Sequence, residues 1–226
     1  LLAMACMAAV RFEKVAAPAP GAPVAHAGRS LGTLLRQPAF AVAVLGAALG
    51  YGVMNLLMAA TPLAMQVCGF GFDSAALVLE WHVIGMFAPG FFTGHLIKRL
   101  GAPQVMLAGV VLNLACVAIA LSGQEIAHFG VALFLLGVGW NFLFTGSTIL
   151  AVSAYRPEEK DRAQGGLNFF VFATMAVSSL SSGALVTTSG WNWLNLASLP
   201  PLLLTGAALL WLMRRQRVLI AINKIA

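Results

Sequence analysis

Charge is what this sequence has least of. Only 9% of its 226 residues are Asp, Glu, Lys or Arg, against roughly a quarter in an ordinary soluble domain, and a soluble globule is thereby excluded. Cysteine is also scarce. Cys6, Cys68 and Cys116 are odd in number and widely separated, so they form neither a disulfide framework nor a zinc site and read as small apolar residues. No histidine has a metal partner at ligand spacing, and no metal site is expected. A Gly-Lys-Ser/Thr nucleotide loop, a nucleophile triad and paired carboxylates are all missing, which leaves an enzyme, a cofactor and ATP-driven chemistry unsupported. A net charge of +6 could suggest nucleic acid, but that partner needs a basic patch on a polar surface. Here the 13 Lys and Arg fall in four short clusters between apolar runs.

What is present is apolar length. Hydrophobic residues make up 60% of the chain, enough for about six spans at roughly 20 residues each. Six stretches qualify: Phe40 to Leu63, Ser74 to Ile97, Val105 to Leu121, His128 to Val152, Leu167 to Thr188 and Trp193 to Met213. Lipid offers no partner for backbone polar groups, and the alternation of a barrel strand is absent, so the spans must be helices. The expected fold is an all-α polytopic membrane bundle.

Every basic residue lies at one end of these spans. Arg11, Lys14, Arg29 and Arg36 come first, then Lys98 and Arg99, then Arg156, Lys160 and Arg162, then Arg214, Arg215, Arg217 and Lys224. The opposite loops, around Gln66 to Asp73, Ser122 to Ala127 and Ser189 to Asn192, contain no Lys or Arg. The positive-inside rule puts the basic end in the cytoplasm, across the inner membrane. Trp191 and Trp193 at the outer end of the last span and Trp211 at its inner end fit an interfacial belt.

The expected divisions follow. Residues 1–10 are too short to span and lack a signal-peptide layout; they read as the end of a preceding membrane helix. Residues 11–37 are a cytoplasmic linker, with a proline- and alanine-rich stretch from Val15 to Gly28. Within it Leu31, Leu34 and Leu35 with Arg29 and Arg36 could form a short amphipathic helix stopped by Pro38. Residues 38–213 are the six-helix bundle and 214–226 a cytoplasmic tail.

Two loop motifs add to this layout. The run Gly85-Met86-Phe87-Ala88-Pro89-Gly90-Phe91-Phe92-Thr93-Gly94, followed by Leu96, Arg99 and Gly101, carries Lys98 at its turn. Tyr155-Arg156-Pro157-Glu158-Glu159-Lys160-Asp161-Arg162-Ala163-Gln164-Gly165 starts a surface turn at Pro157, and its mixed charges keep it in water. The arrangement resembles the C-terminal half of a major facilitator superfamily transporter, from the end of its sixth helix through its twelfth. The first motif resembles that family's turn between helices eight and nine, with Lys98 where an acid is usual. The second resembles its loop before helix eleven. The resemblance implies two inverted three-helix repeats, a small-molecule substrate and an N-terminal six-helix half that precedes this one. Gly94, Arg99, Gly101, Arg156, Pro157 and Arg162 are the cytoplasmic motif residues it singles out.

Glu80 is the only acid inside a span. It lies roughly 8 Å outward of the middle at ~1.5 Å per residue, where a charge costs up to about 3 kcal/mol. A cavity, a partner or a bound proton must offset that cost. Proton coupling or substrate contact is one reading; a carboxylate reaching the outer interface near Asp73 is the other. His82 points about 200° away on a helix and reads as a histidine bonded between helices. Tyr51, Asn55 and Met58 share a face of the first full span, Asn141, Thr145 and Thr148 one of the fourth, and Asn168, Phe172, Met175 and Ser179 one of the fifth. These are candidates for lining a cavity, the alternative being helix-to-helix hydrogen bonds. Gly46 with Gly50, and Gly90 with Gly94, have the spacing of close helix contacts. The expected function is secondary transport of a small neutral or cationic solute by alternating access. The alternative is a scaffold or sensor that keeps the bundle without transporting.

Overall fold

The computed structural model describes residues 28–225, with side chains as far as Val218. The expectations for residues 1–10 and for the linker up to Ala27 lie outside the described residues. A short helix, α1 (Leu31–Leu35), opens the described chain. Ser30 caps it, its hydroxyl accepting from the Thr33 N–H at 3.3 Å, and Leu34 anchors it with no exposed surface. Pro38 does more than stop this helix. It occupies the first turn of α2 (Pro38–Val67), where its missing N–H costs nothing.

The second span is broken. Helices α3 (Phe72–Phe87) and α4 (Gly90–Leu100) meet at an angle of 41°. Pro89 sits between them, and proline lacks the N–H and crowds the carbonyl four residues back. Gly101, at φ +93°, turns the chain from α4 into α5 (Ala102–Ser122), a conformation that favours glycine. Then come α6 (Ile126–Val152), a single 3₁₀ turn (Pro157–Glu159), α7 (Lys160–Thr188), α8 (Gly190–Ala197) and α9 (Leu199–Ile225). The expected boundary at Met213 falls inside α9, so the tail starts as a continuation of the last helix.

Five of the helical segments are long and apolar enough to cross a membrane, and six if the bent pair α3 and α4 counts as one span. The fold is an all-α polytopic bundle. Helix α2 is its centre, packing on α3, α6, α7, α8 and α9. Close approach of α6 to its neighbours rests on glycine. A Cβ at Gly137 would lie 2.5 Å from the His82 carbonyl oxygen on α3, and one at Gly109 of α5 would lie 2.7 Å from the Gly139 carbonyl oxygen. Gly46 and Gly50 face neighbouring helices as their spacing suggests, whereas Gly94 faces open space. Of the Gly90 and Gly94 pair only Gly90 faces a neighbour, a Cβ there lying 3.9 Å from the Asn141 amide nitrogen.

Two apolar clusters fill the bundle, one around Leu34, Phe40, Met106 and Leu167 near the basic end, the other around Met65, Phe129, Leu133 and Trp191. Tyr51, Leu114 and Phe144 touch both, which places them at mid-depth. Trp193 and Trp211 are exposed, as an interfacial belt requires. Trp191 is not: it is buried, and its indole N–H donates to the Ala120 carbonyl at 3.1 Å.

Candidate functional site

Helices α2 and α6 bring an aromatic trio together at mid-depth, beside α3. On α6, Gly137 abuts α3 and Leu143 abuts Gly50 of α2. At 100° per residue, Trp140 bisects those two directions. On α2, Gly50 faces Leu143 of α6 and Gly52 faces Thr174 of α7, and Tyr51 bisects these in turn. Tyr51 and Trp140 therefore point into the gap between helices and meet there. Their ring centroids are 5.4 Å apart, edge to face. Phe144, one turn beyond Trp140, stacks on the indole at 5.2 Å with planes 7° apart and takes the Tyr51 edge at 5.6 Å. The Trp140 indole N–H is buried without an acceptor among the described residues, an arrangement that costs about 1–3 kcal/mol in a protein interior.

Asn55 shares α2 with Tyr51 but not its direction. Its amide donates to the Ser178 hydroxyl at 3.0 Å, the Ser179 hydroxyl at 2.7 Å and the Met175 carbonyl at 3.3 Å, joining α2 to α7. Asn141 turns toward the broken span. Its Nδ2 donates to the Met86 carbonyl at 2.8 Å, and its Oδ1 accepts from the Thr93 hydroxyl at 2.7 Å. One buried side chain thus bonds both sides of the bend, satisfying a carbonyl that the interrupted helix releases. The structure does not bring Asn55 and Asn141 onto one wall with Tyr51. Thr145 is half-buried and Asn168 exposed, and neither reaches the aromatic trio.

Glu80 is exposed on α3, beside Leu79, Val83 and Ile84. His82 is fully buried on the opposite face, its ring Nδ1 donating to the Leu133 carbonyl at 2.7 Å. The expected divergence of these two side chains is what the helix produces.

At the basic end, Glu159 is a focus that the sequence hides. Its loop was expected to stay in water, yet its side chain is only 1% exposed. Arg29 explains this. The guanidinium donates from Nε to Oε1 and from Nη2 to Oε2, both at 2.7 Å, and the Arg29 backbone N–H adds a bond to Oε1 at 2.8 Å. The Arg156 N–H donates to Oε2 at 2.9 Å. With Arg29 first among the causes, these partners hold the Glu159 carboxyl well below the usual carboxylate range and raise the Arg29 guanidinium in turn. Arg162 completes the cluster by donating to the Gly28 and Arg29 carbonyls at 2.7 and 2.8 Å. Of the six motif residues, Arg156, Pro157 and Arg162 meet here; Arg99 and Gly101 lie at the separate turn between α4 and α5, and Gly94 lies within α4. Glu159 between Arg156 and Arg162 was the available sequence signal, but Arg29, which buries it, lies 130 residues away.

Known proteins carry the same segment. The riboflavin transporter RfnT of Brucella anthropi is 43% identical over 168 residues, which is 74% of this chain and 42% of that protein. The uncharacterized MFS-type transporter YdeG of Bacillus subtilis (strain 168) is 32% identical over 64% of this chain and 34% of its own length. A second uncharacterized MFS-type transporter of that strain, YddS, is 28% identical over 72% of this chain and 38% of its own. The chain thus spans 34% to 42% of the length of these curated relatives. The family model of the Major Facilitator Superfamily matches residues 43–224, nearly all of the bundle, and the chain belongs to that superfamily, a family of transporters rather than enzymes.

Proposed function

We propose that the chain is the second six-span half of a secondary transporter that moves a small solute across the inner membrane by alternating access. The observation that carries this reading is the family match over residues 43–224, together with the mid-depth meeting of α2 and α6 at Tyr51 and Trp140. The chain's share of its relatives' length supports a preceding six-helix half. The distribution of Lys and Arg supports a cytoplasmic basic end. Tyr51 lies on the solute path. Asn55 and Asn141 act through the helices they join, and Thr145 and Asn168 act at the margins. Glu80, exposed and facing away from α6, is the proton-coupling candidate. The two loop motifs hold the basic ends of the helices, one through Gly94, Arg99 and Gly101, the other through Arg156, Pro157 and Arg162.

Riboflavin is the first solute to test, because a relative 43% identical is named as its transporter. Full-length protein expressed in cells that cannot synthesise riboflavin should give saturable uptake of the labelled vitamin above vector controls. Absence of flux for riboflavin and for a panel of small neutral and cationic solutes would favour the scaffold alternative.

A further inference from the structure

We propose that Tyr51, Trp140 and Phe144 form the recognition wall for a planar heteroaromatic solute bearing ring carbonyls, with the Trp140 indole N–H as the donor to one of those carbonyls. The inference rests on the transport reading above and names the residues that select the solute's ring.

Three observations converge on it. First, the trio lies at mid-depth, where both apolar clusters meet, on the faces of α2 and α6 that point between their packed neighbours. Second, its geometry is built and rigid. The Trp140 and Phe144 rings lie parallel within 7°, and the Tyr51 edge closes on both, at 84° and 78°. Tyr51 and Phe144 keep part of their surface open, so a flat ring can be added to the layer by stacking. Each ring stacked on an aromatic side chain gains about 1–3 kcal/mol. Third, the Trp140 N–H has no acceptor among the described residues although the residue is only 8% exposed. Phenylalanine would pack the same place without stranding a donor. An idle buried donor beside an open aromatic face is the complement of a ring carbonyl. No Lys, Arg, Asp or Glu belongs to the trio, and the charged residues of the described spans lie elsewhere: Glu80 faces away from α6, and Lys98 and Arg99 sit in the last turn of α4. The wall is therefore matched to an uncharged ring system.

The experiment uses the full-length protein in detergent and in proteoliposomes, with riboflavin as probe and two fragments as competitors: lumichrome, which keeps the ring system, and ribitol, which keeps only the side chain. Stacking on an indole quenches flavin fluorescence, so binding is read independently of flux. The expected result is quenching on binding, competition by lumichrome and none by ribitol. Trp140→Phe should keep the fold and its melting temperature while weakening riboflavin about tenfold, the loss of one hydrogen bond to an uncharged acceptor. Phe144→Leu and Tyr51→Leu should weaken it and reduce the quenching. Riboflavin bound as tightly by Trp140→Phe and Phe144→Leu as by the unaltered protein overturns the proposal and leaves the transport reading intact. Competition by ribitol but not by lumichrome does the same. A wild-type protein that carries another solute and binds neither flavin overturns the flavin assignment and this wall with it.

Discussion

Arg29 holds Glu159 in a two-pronged grip, Nε to Oε1 and Nη2 to Oε2 at 2.7 Å each, across 130 residues of sequence. The residues just ahead of α1 are thereby fastened to the loop between α6 and α7. Gly28 lies against the Glu159 side chain, where a Cβ would come within 2.5 Å of Cγ, and the Gln37 amide accepts from the Arg29 guanidinium and donates to the Ala154 carbonyl. The chain that enters the bundle is thus anchored ten residues before its first span begins at Pro38.

Glu159→Gln should release this anchor, since an amide keeps the shape but presents only one acceptor to a fork that needs two. Hydrogen exchange read by mass spectrometry should quicken over residues 28–37 and 153–162 while α5 and α6 are unchanged. Arg29→Lys should fall between, because an ammonium cannot bond both oxygens in one plane. Equal protection in all three proteins would refute the anchor.

The grip should also resist acid. The Glu159 carboxyl is held below the ordinary value of about 4.3 chiefly by its hydrogen bond from Arg29. A carboxyl depressed in the folded state contributes stability above its unfolded pKa and loses it as pH falls through the folded one. Protection of residues 28–37 at pH 4.5 should therefore equal that at pH 7, after correction for intrinsic exchange. Loss of protection already near pH 5 would contradict the assignment.

Asn141→Leu should unlace the bend in the second span, leaving the Met86 carbonyl without its donor and the Thr93 hydroxyl with only its bond to the Pro89 carbonyl at 2.7 Å. A cost of about 1–3 kcal/mol is expected, visible as a lower melting temperature in detergent. Thr93→Val should cost less, because Asn141 keeps its bond to Met86. A stable Asn141→Leu protein would show that the bend needs only Pro89.

Gly137→Ala tests the contact of α3 with α6. The added methyl meets the His82 carbonyl and the Met86 nitrogen, at 2.5 and 2.8 Å, and backbone cannot swing aside as a side chain can; overpacking of this kind costs about 1–3 kcal/mol. Gly130→Ala, on the same helix with open space around it, is the neutral control. Thermal melts of the pair should differ by several degrees.

Glu80→Gln addresses coupling. With riboflavin, or whichever solute is carried, uptake against an imposed pH gradient should lose its dependence on that gradient while exchange without a gradient persists. Intact coupling in Glu80→Gln would remove Glu80 from the proton path.

Hydropathy read the spans well because it is a local property: each stretch had to find lipid or fail, whatever its neighbours. Helix ends moved by a few residues, mostly outward, as at Pro38–Val67 for the stretch from Phe40 to Leu63. Polar residues were harder. Asn55 and Tyr51 are four apart and share a face by periodicity, yet one bonds α7 and the other meets Trp140. A helical face is broad, and a 40° offset is enough to choose between two neighbours.

By itself, then, the sequence determined the solvent, the helical class and the count of spans, because apolar length and the need to satisfy backbone hydrogen bonds in lipid admit no other solution. It also placed Pro89 inside the second apolar stretch, where a proline can kink a helix. Only the tertiary structure decided which polar side chains face which helix, since that azimuth depends on glycine contacts such as Gly137 on His82. It alone brought Tyr51 to Trp140 and Arg29 to Glu159, pairs whose partners are far apart in the chain and whose energies exist only once the helices have packed.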